Sequence, residues 1–320
     1  MNVKPILFAL LVGISLHCCG QDFQEIVLHQ IDSSDLYIND GSSTELFYLK
    51  LVPHVPPKGA IIVFPSGGET IEDLLQQIDI PQLAYKRGLV TIVPSINWGT
   101  EDRAVEIQIL NEIIRQVIEE DKIPEDRFVL GGLSNGVMIS LVYAQEAARN
   151  PENTAVRPMG VFALDVPLDK THMYEYCQRE LARNFSDAGM GEARWIMDRF
   201  ERMYGGSPQE YPDRYIAASI YSNGVKNGGN AQYLKDMPIR MYTDLDVDWL
   251  MEQRRRDLYD WNGTDIVAMV NDLKLMGNQD ANVIITMGKG VRLDGRRHPH
   301  SWSIMDNEDC INWIMKLIEE

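Results

Sequence analysis

The stretch Phe128-Val129-Leu130-Gly131-Gly132-Leu133-Ser134-Asn135-Gly136-Val137 decides the fold of this chain. Its first residues are large and apolar, as in a buried strand, and residues 137–148 have the small and apolar side chains of a packed helix. Between them lies a G-x-S-x-G sequence, whose two glycines let the backbone turn sharply and leave the Ser134 hydroxyl exposed above a sheet. The pattern predicts a strand, a tight turn and a helix, with Ser134 as a nucleophile at the turn.

The segments on either side of this turn alternate between strand and helix patterns. Short apolar runs predict strands over 60–64, 89–93, 159–164, 239–243 and 283–286, and helical spacing of apolar residues predicts helices over 101–120 and 310–318. This alternation is typical of a mostly parallel central sheet with helices on both faces. Residues 169–236 show helical patches without strand alternation, which predicts a helical lid insertion within a single α/β domain over 21–320.

Composition sets the class of protein. The chain has 320 residues, 45% hydrophobic and 24% charged, which is enough apolar material for a full core and excludes disorder along the whole chain. The 47 acidic residues outnumber the 30 basic ones and give a formal net charge of -17, so a nucleic-acid backbone would be repelled. Four cysteines are too few for a disulfide scaffold.

The amino-terminal residues 1–20 have the layout of a bacterial secretory signal peptide. Lys4 precedes an apolar run over 6–16, which is shorter than the roughly 20 residues that a membrane-spanning helix needs. Leu16 lies three residues before Cys19, as in a lipoprotein signal that would anchor the chain to a membrane by a lipid on Cys19. Cleavage after Gly20 is the alternative, and both outcomes predict an exported protein, periplasmic or secreted.

A serine nucleophile needs a histidine base, and His298-Pro299-His300-Ser301-Trp302 supplies two candidates between the last predicted strand and the last helix. His300 is preferred because Pro299 stiffens the backbone before it and the Trp302 ring is available to wall a substrate site. An H-x-H metal site is disfavoured because no third ligand cluster accompanies the pair. The chemistry requires no metal and no organic cofactor.

Three carboxylates follow the predicted strand 239–243, in Asp244-Leu245-Asp246-Val247-Asp248-Trp249. Any of them is a candidate to orient His300, and the spacing from the strand end favours Asp246, with Asp248 as the alternative. Alternating aspartates also begin a calcium loop, but Trp249 and Arg255 stand where that loop requires Gly and Glu. Trp249 joins Trp302 as a candidate substrate contact.

The oxyanion formed in acyl transfer needs two hydrogen-bond donors, usually the N–H after the nucleophile and one from the turn after an earlier strand. Ser66-Gly67-Gly68 follows the predicted strand 60–64. The predicted donors are therefore the backbone N–H groups of Asn135 and Gly68, with Gly67 permitting a close approach of the chain.

From about residue 45 to its end, the chain resembles the α/β-hydrolase superfamily, in particular its esterase-like secreted bacterial members. The resemblance rests on the Ser66-Gly67-Gly68 turn, the turn over 132–136, the strand before Asp246, and His300-Ser301-Trp302 ahead of the terminal helix. It implies a Ser134-His300-Asp246 triad with Gly68 and Asn135 as the oxyanion hole. The alternative of Asp248 as the acid stays open.

These features predict a serine hydrolase that cleaves a carboxylic ester through an acyl-enzyme. Export and the aromatic residues of the insertion suggest a carbohydrate or oligosaccharide ester as substrate. A serine peptidase is the first alternative, because the same triad cleaves amides. A catalytically inactive hydrolase fold that serves as a binding protein is the second. The aromatic residues in question are Tyr174, Tyr176, Trp195, Tyr204, Tyr211 and Tyr215.

Overall fold

The structure is a computed structural model that describes residues 17–18, 21–28, 46–97 and 103–320. The predicted signal peptide lies outside these residues, Cys19 included, except for His17–Cys18, which pairs antiparallel with Gln21–Asp22. The predicted start of a helix at 101 also lies outside them. In the described part of the chain, no helix is both long and apolar enough to cross a membrane.

An eight-stranded sheet forms the centre of the molecule. Its strands are β1 Gln24–Leu28, β2 Leu46–Leu51, β3 Gly59–Phe64, β4 Leu89–Pro94, β5 Phe128–Leu133, β6 Gly160–Leu164, β7 Ile239–Asp244 and β8 Ala281–Thr286. Across the sheet they lie in the order β8-β7-β6-β5-β3-β4-β2-β1. The strands from β8 to β4 in this order run parallel to one another, β2 runs antiparallel to β4, and β1 runs antiparallel to β2.

Helices cover both faces of the sheet. The helices are α1 Ile71–Leu75, α2 Ile80–Arg87, α3 Arg103–Asp121, α4 Ser134–Arg149, α5 Lys170–Arg183, α6 Asp187–Tyr204, α7 Pro212–Ala218, α8 Val247–Arg254, α9 Asn262–Leu275 and α10 Asn307–Glu319. Side chains alternate along β3, so Ile61 and Val63 pack in a core with α1, α2 and α10, while Ile62 and Phe64 pack in a second core with α3. The predicted α/β fold class, a mostly parallel sheet between helices, is confirmed.

Residues 169–236 contain α5, α6 and α7 and the 3₁₀-helix Lys226–Leu234. Asp169 begins α5 by accepting the N–H groups of Thr171 and His172, and Ser186 begins α6 by accepting that of Gly189. The three α-helices share an apolar core of their own, so this segment is a packed layer rather than a loop. That core includes Tyr174, Cys177, Ala193, Ile196, Phe200, Tyr204 and Tyr215.

The register of the sheet brings three strand ends together. Leu133 at the end of β5 pairs with Leu164 at the end of β6, and Leu164 pairs with Tyr242 of β7. The residues that follow β5 and β6 are Ser134 and Asp165, which therefore leave the sheet side by side at its carboxyl edge. In open α/β sheets this edge is where ligands bind.

Candidate active site

Ser134 occupies a sharp turn between β5 and α4. Its backbone has φ of 57°, in the left-handed region that few residues other than glycine adopt. A Cβ at Gly136 would lie 1.9 Å from the carbonyl oxygen of Pro65, and one at Gly132 would lie 2.7 Å from that of Phe64. Glycine is therefore required at both positions, because the turn packs directly on the backbone that follows β3.

His300 is paired with Asp165, whose Oδ2 lies 2.6 Å from His300 Nδ1. Asp165 follows β6, is fully buried, and has a left-handed φ of 38°. Its carboxylate also accepts hydrogen bonds from Thr243 Oγ1 at 3.3 Å and Asn262 Nδ2 at 3.4 Å. With Nδ1 held in this way, Nε2 is the nitrogen of His300 left for the cavity that this residue lines together with Ser134.

The structure corrects the predicted acid, because neither Asp246 nor Asp248 is paired with His300. Asp246 caps α8 by accepting the N–H of Trp249 at 3.1 Å, and its carboxylate binds Arg297 Nε at 2.5 Å. Asp248 is exposed on α8. Asp244, the remaining candidate, ends β7 and accepts hydrogen bonds from Thr286 Oγ1 at 2.9 Å and from the backbone N–H of Gly290 in the loop after β8 at 2.8 Å. Asp244 and Asp246, at the end of β7 and just after it, therefore stabilise the fold, and Asp165 after β6 is the carboxylate that binds His300.

The turn after β3 presents a different donor from the predicted one. The N–H of Gly68 donates to the carbonyl of Asn97 at 3.1 Å, so it is occupied. Gly67 lines the same cavity as Ser134 and Asn135, and its N–H has no partner among the residues that the structure describes. Gly67 and Asn135, both named from the sequence, are therefore the available pair of backbone donors, and Gly68 is not.

Glu69 holds this turn in place. Its carboxylate accepts the Ser66 N–H at 2.8 Å, Gln77 Nε2 at 2.6 Å, and the indole N–H of Trp302 at 3.0 and 3.1 Å. Burial raises the pKa of Glu69, and these three donors oppose that rise. Trp302 is 1% exposed within the core, so its predicted role as a substrate contact is wrong. It supports the turn from behind.

His298 lies beside His300 but serves a different purpose. Its Nδ1 accepts the backbone N–H of His300 at 3.1 Å, and its ring packs on that of Trp249 with centroids 4.3 Å apart. Burial, with Arg292 nearby, lowers the pKa of His298 to about 3, so its ring is neutral near pH 7. Across residues 17–18, 21–28, 46–97 and 103–320, no group of three His, Cys, Asp or Glu is placed to hold a metal ion.

Two cavities meet at Ser134 and His300. The larger has a volume of about 320 Å³, and α6 lines it with residues at helical spacing. The smaller, of about 120 Å³, is bordered by Tyr176, Trp249, Trp261 and His298. Of the candidate lid aromatics, Trp195 and Tyr204 line the larger cavity, while Tyr174 and Tyr215 pack inside the insertion. The larger cavity is lined on its α6 side by Glu192, Trp195, Ile196, Arg199, Phe200, Met203 and Tyr204.

Three residues of this region were not predicted from the sequence: Asp165, Glu69 and Lys170, a buried residue of the larger cavity wall. Asp165 carried a usable signal, because it directly follows the predicted strand 159–164 and so had to emerge at the same sheet edge as Ser134. Glu69 follows the glycine turn in sequence. Lys170 gave no signal, since its burial depends on how the helices of the insertion pack.

Comparisons with known proteins bear on the fold of the chain. No family model and no curated protein matches the chain. Among solved structures, the S-formylglutathione hydrolase of Agrobacterium tumefaciens is 13% identical with a TM-score of 0.54, covering 96% of this chain and 99% of that one. A lipase in its open form is 13% identical with a TM-score of 0.56, covering 93% and 100%.

An acylaminoacyl peptidase of Pyrococcus horikoshii is also similar, at 15% identity and a TM-score of 0.50. That match covers 93% of this chain but 41% of the peptidase, so the chain spans less than half of that protein's length. At such identities the likeness establishes the fold alone. With its eight-stranded sheet, its strand order and the serine turn after β5, this chain has the α/β-hydrolase fold.

Proposed function

We propose that the protein is a serine hydrolase that cleaves carboxylic esters, with Ser134 as nucleophile, His300 as base and Asp165 as the acid. The observation that carries this proposal is the 2.6 Å hydrogen bond between Asp165 and His300 at the cavity that Ser134 lines. A buried aspartate on Nδ1 fixes the tautomer of the imidazole and leaves Nε2 to accept a proton.

In the proposed reaction, Ser134 Oγ attacks the ester carbonyl while His300 Nε2 takes the hydroxyl proton. The negative charge that develops on the carbonyl oxygen is stabilised by the N–H groups of Gly67 and Asn135. As the tetrahedral intermediate collapses, the C–O bond to the alcohol breaks and His300 returns the proton to the leaving oxygen. Water, deprotonated by His300, then attacks the acyl carbon, the bond to Ser134 Oγ breaks, and His300 returns the proton to that oxygen as the acid leaves.

The substrate that we propose is a small ester with a carbohydrate portion. The larger cavity has the size of a small-molecule site, and Trp195 and Tyr204 on its wall offer flat faces on which a sugar ring stacks. The smaller cavity adds Trp249 and Trp261. Hydrolysis of acetylated or feruloylated oligosaccharides, compared with simple alkyl esters, tests this choice.

We also propose that the chain is exported and processed near residue 19 or 21, to be periplasmic or secreted. The support is the charged, apolar and small-residue order of residues 1–20. Mass spectrometry of the mature amino terminus decides the form, because a lipidated Cys19 implies membrane anchoring and a free Gln21 implies release. An unprocessed Met1 in the exporting host would contradict the proposal.

A fluorophosphonate probe with peptide mapping tests the nucleophile, followed by assay of p-nitrophenyl butyrate. The probe should modify Ser134 in the wild type. Ser134→Ala should abolish both labelling and hydrolysis, and His300→Ala should lower turnover by about 10³-fold or more. Ser207→Ala is a matched control, because the Ser207 hydroxyl binds Glu210 in the insertion and does not line either cavity. A folded wild type that neither labels nor hydrolyses would support the inactive binding protein.

Ester and amide cleavage are separated by a second pair of substrates. Aminoacyl p-nitroanilides and p-nitrophenyl esters with the same acyl group should be compared on one preparation. An esterase should hydrolyse the ester, with turnover lost in Ser134→Ala, and should leave the anilide at its uncatalysed rate. Because a serine peptidase also cleaves activated esters, Ser134-dependent turnover of the anilide is the result that would favour the peptidase alternative.

A further inference from the structure

Lys170 is a buried lysine on the wall of the larger cavity. It is the first residue of α5, is 6% exposed, and lines the cavity together with Ser134 and His300. Its Nζ lies 3.7 Å from the sulfur of Met138 and 5.2 Å from the centre of the Phe200 ring. In the described part of the chain, no carboxylate lies within ion-pair distance of this ammonium.

The contrast with Lys50 shows what the fold does with a buried lysine that has only a structural role. Lys50 is 4% exposed, and its Nζ contacts Glu120 at 2.9 Å and Asp121 at 2.8 Å. A buried ammonium without such partners opposes folding, because its lost hydration is not replaced. The sulfur of Met138 and the Phe200 ring compensate the Lys170 ammonium only in part, so its burial carries a cost that its position in the cavity explains if its partner is a ligand.

The charges around Lys170 also favour an anion. Burial, with Arg103 and Arg199 nearby, lowers its pKa to about 7, while Glu106 and Asp169 act in the opposite direction. Arg103 is paired with the buried Glu106 at 3.1 Å. Arg199 and Arg292 line the same cavity, and among the residues that the structure describes Glu192 is its one acidic wall residue. This cationic wall stands out in a protein with a net charge of -17.

Lys170 lies close to the nucleophile. Its contact residue Met138 is four positions beyond Ser134 on α4, and residues at that spacing have Cβ atoms about 5–6 Å apart. A group held by the ammonium is therefore separated from the reacting carbonyl by a short spacer. We propose that Lys170 binds a carboxylate of the ester substrate, so that the enzyme prefers esters with a negative charge a few bonds from the scissile bond. This inference rests on the proposed function and names its substrate class.

Matched pairs of esters test the preference on either side of the scissile bond. Mono-p-nitrophenyl adipate has a carboxylate on the acyl chain that p-nitrophenyl hexanoate lacks. 4-Acetoxybenzoate has a carboxylate on the alcohol portion that p-tolyl acetate lacks. We expect kcat/KM to favour the charged ester by about 10-fold or more in at least one pair. The other pair then shows which part of the substrate carries the charge.

Lys170→Met keeps a long apolar side chain and removes the charge, and circular dichroism checks its fold. The charged-to-neutral ratio of kcat/KM should fall by about 10- to 100-fold, chiefly through KM for the charged ester. Lys316→Met is the control, because Lys316 is an exposed residue of α10 paired with Glu320, and the ratio should not change. In the wild type, the ratio should also fall as the pH rises through about 7, where the ammonium loses its proton.

Failure of the inference and failure of the proposed function give different results. Ser134-dependent hydrolysis of the neutral esters with no charge preference in either pair would overturn the role of Lys170 and leave the esterase intact. A preference that survives Lys170→Met but is lost in Arg292→Met would also overturn it. Absence of labelling and of hydrolysis of every ester would overturn the proposed function itself. If the Met variant fails to fold, the preference and its pH profile in the wild type still decide.

Discussion

Asp165 Oδ2 and His300 Nδ1 lie 2.6 Å apart, although the two residues are 135 positions apart in the sequence. The pairing follows from the sheet, because β6 ends next to β5 and delivers Asp165 beside Ser134. The same carboxylate is surrounded by Thr243 and Asn262, which fix it from two further elements. A serine hydroxyl, an imidazole and a buried carboxylate are thus brought together at the carboxyl edge of one sheet.

Asp165→Asn should lower kcat for ester hydrolysis by about 10⁴-fold, because an amide stabilises the wrong tautomer of His300. KM should change little, since the side chain is fully buried and does not reach the cavity. Steady-state kinetics on p-nitrophenyl butyrate measure both effects. Labelling by the fluorophosphonate probe should slow in parallel.

Asp246→Asn is the matched comparison for this prediction. It breaks the ion pair with Arg297 but leaves His300 and Asp165 joined, and the amide oxygen of Asn can still accept the N–H of Trp249 that caps α8. We expect kcat to stay within about threefold of the wild type. If Asp246→Asn is the inactive variant and Asp165→Asn is active, the assigned acid is wrong.

Gly136→Ala should destabilise the protein by about 3 kcal/mol and abolish activity, since its Cβ would lie 1.9 Å from the Pro65 carbonyl oxygen. The turn at Ser134 and the turn after β3 that contains Gly67 are in contact there, so any movement that relieves the clash displaces both turns. Gly191 provides the control within α6, because a Cβ at that position meets none of the described residues within 4 Å. Gly191→Ala should raise the unfolding free energy by roughly 0.5–1 kcal/mol, as judged by urea denaturation.

Glu69→Gln should reduce kcat by about 10- to 100-fold with little change in KM. The carboxylate accepts hydrogen bonds from Ser66, Gln77 and Trp302, and an amide replaces one of its acceptor oxygens with a donor. The neighbouring Gly67 N–H would then lose its position toward the oxyanion, which affects the transition state. Gln77→Ala removes a single donor and should have a smaller effect. Equal losses in kcat for the two variants would contradict this account.

The raised pKa of Glu69 should make kcat depend on pH. Burial raises the pKa of this carboxyl above its ordinary value, so it gains a proton at a higher pH than an exposed glutamate. The bracing of the turn requires the ionised form, which accepts all three donors. The wild type should therefore lose kcat on acidification, and Glu69→Gln should lack that component of the profile.

The sequence was informative where one local pattern required one geometry. The glycines around Ser134 and the order of strands and helices predicted the fold, and the loop before the terminal helix contains His300, the histidine that pairs with a buried aspartate. The partner of His300 was not predictable, because one carboxylate ends β7, two follow it and Asp165 follows β6, and only the packing of distant loops selects Asp165. The backbone N–H that is available after β3 likewise depended on a contact between Gly68 and Asn97, far apart in the chain.

The edge of the sheet was the other part that the sequence left open. No strand was predicted over β1 or β2, which pair antiparallel with each other, and only Ile26 and Leu28 of β1 are buried. A short edge strand with one covered face carries little apolar signal, whereas the central strands are buried along their whole length. The burial of Lys170 could not be predicted from the sequence either, because it arises from packing between the separate helices α4, α5 and α6.

Lys170→Met should raise the unfolding free energy, with the largest gain below neutral pH. The folded-state pKa of Lys170 is about 7, below its ordinary value of 10.5, so the folded protein binds fewer protons than the unfolded chain between these values. Wild-type stability therefore rises with pH across this window, and the buried ammonium opposes folding fully below it. The variant lacks this cost, so its advantage should be about 1–3 kcal/mol near pH 6 and should shrink toward pH 10.

Urea denaturation of the wild type, Lys170→Met and Lys316→Met across this pH range measures the effect. Lys316 is 72% exposed, so its removal should give no pH-dependent difference. A carboxylate product that binds Lys170 should narrow the gap below neutral pH, because it stabilises the wild type by supplying the missing counter-charge. An advantage of equal size at both ends of the range would mean that folding does not lower the pKa of Lys170, so its ammonium would already be compensated in the folded protein and the basis for anion binding at this site would be lost.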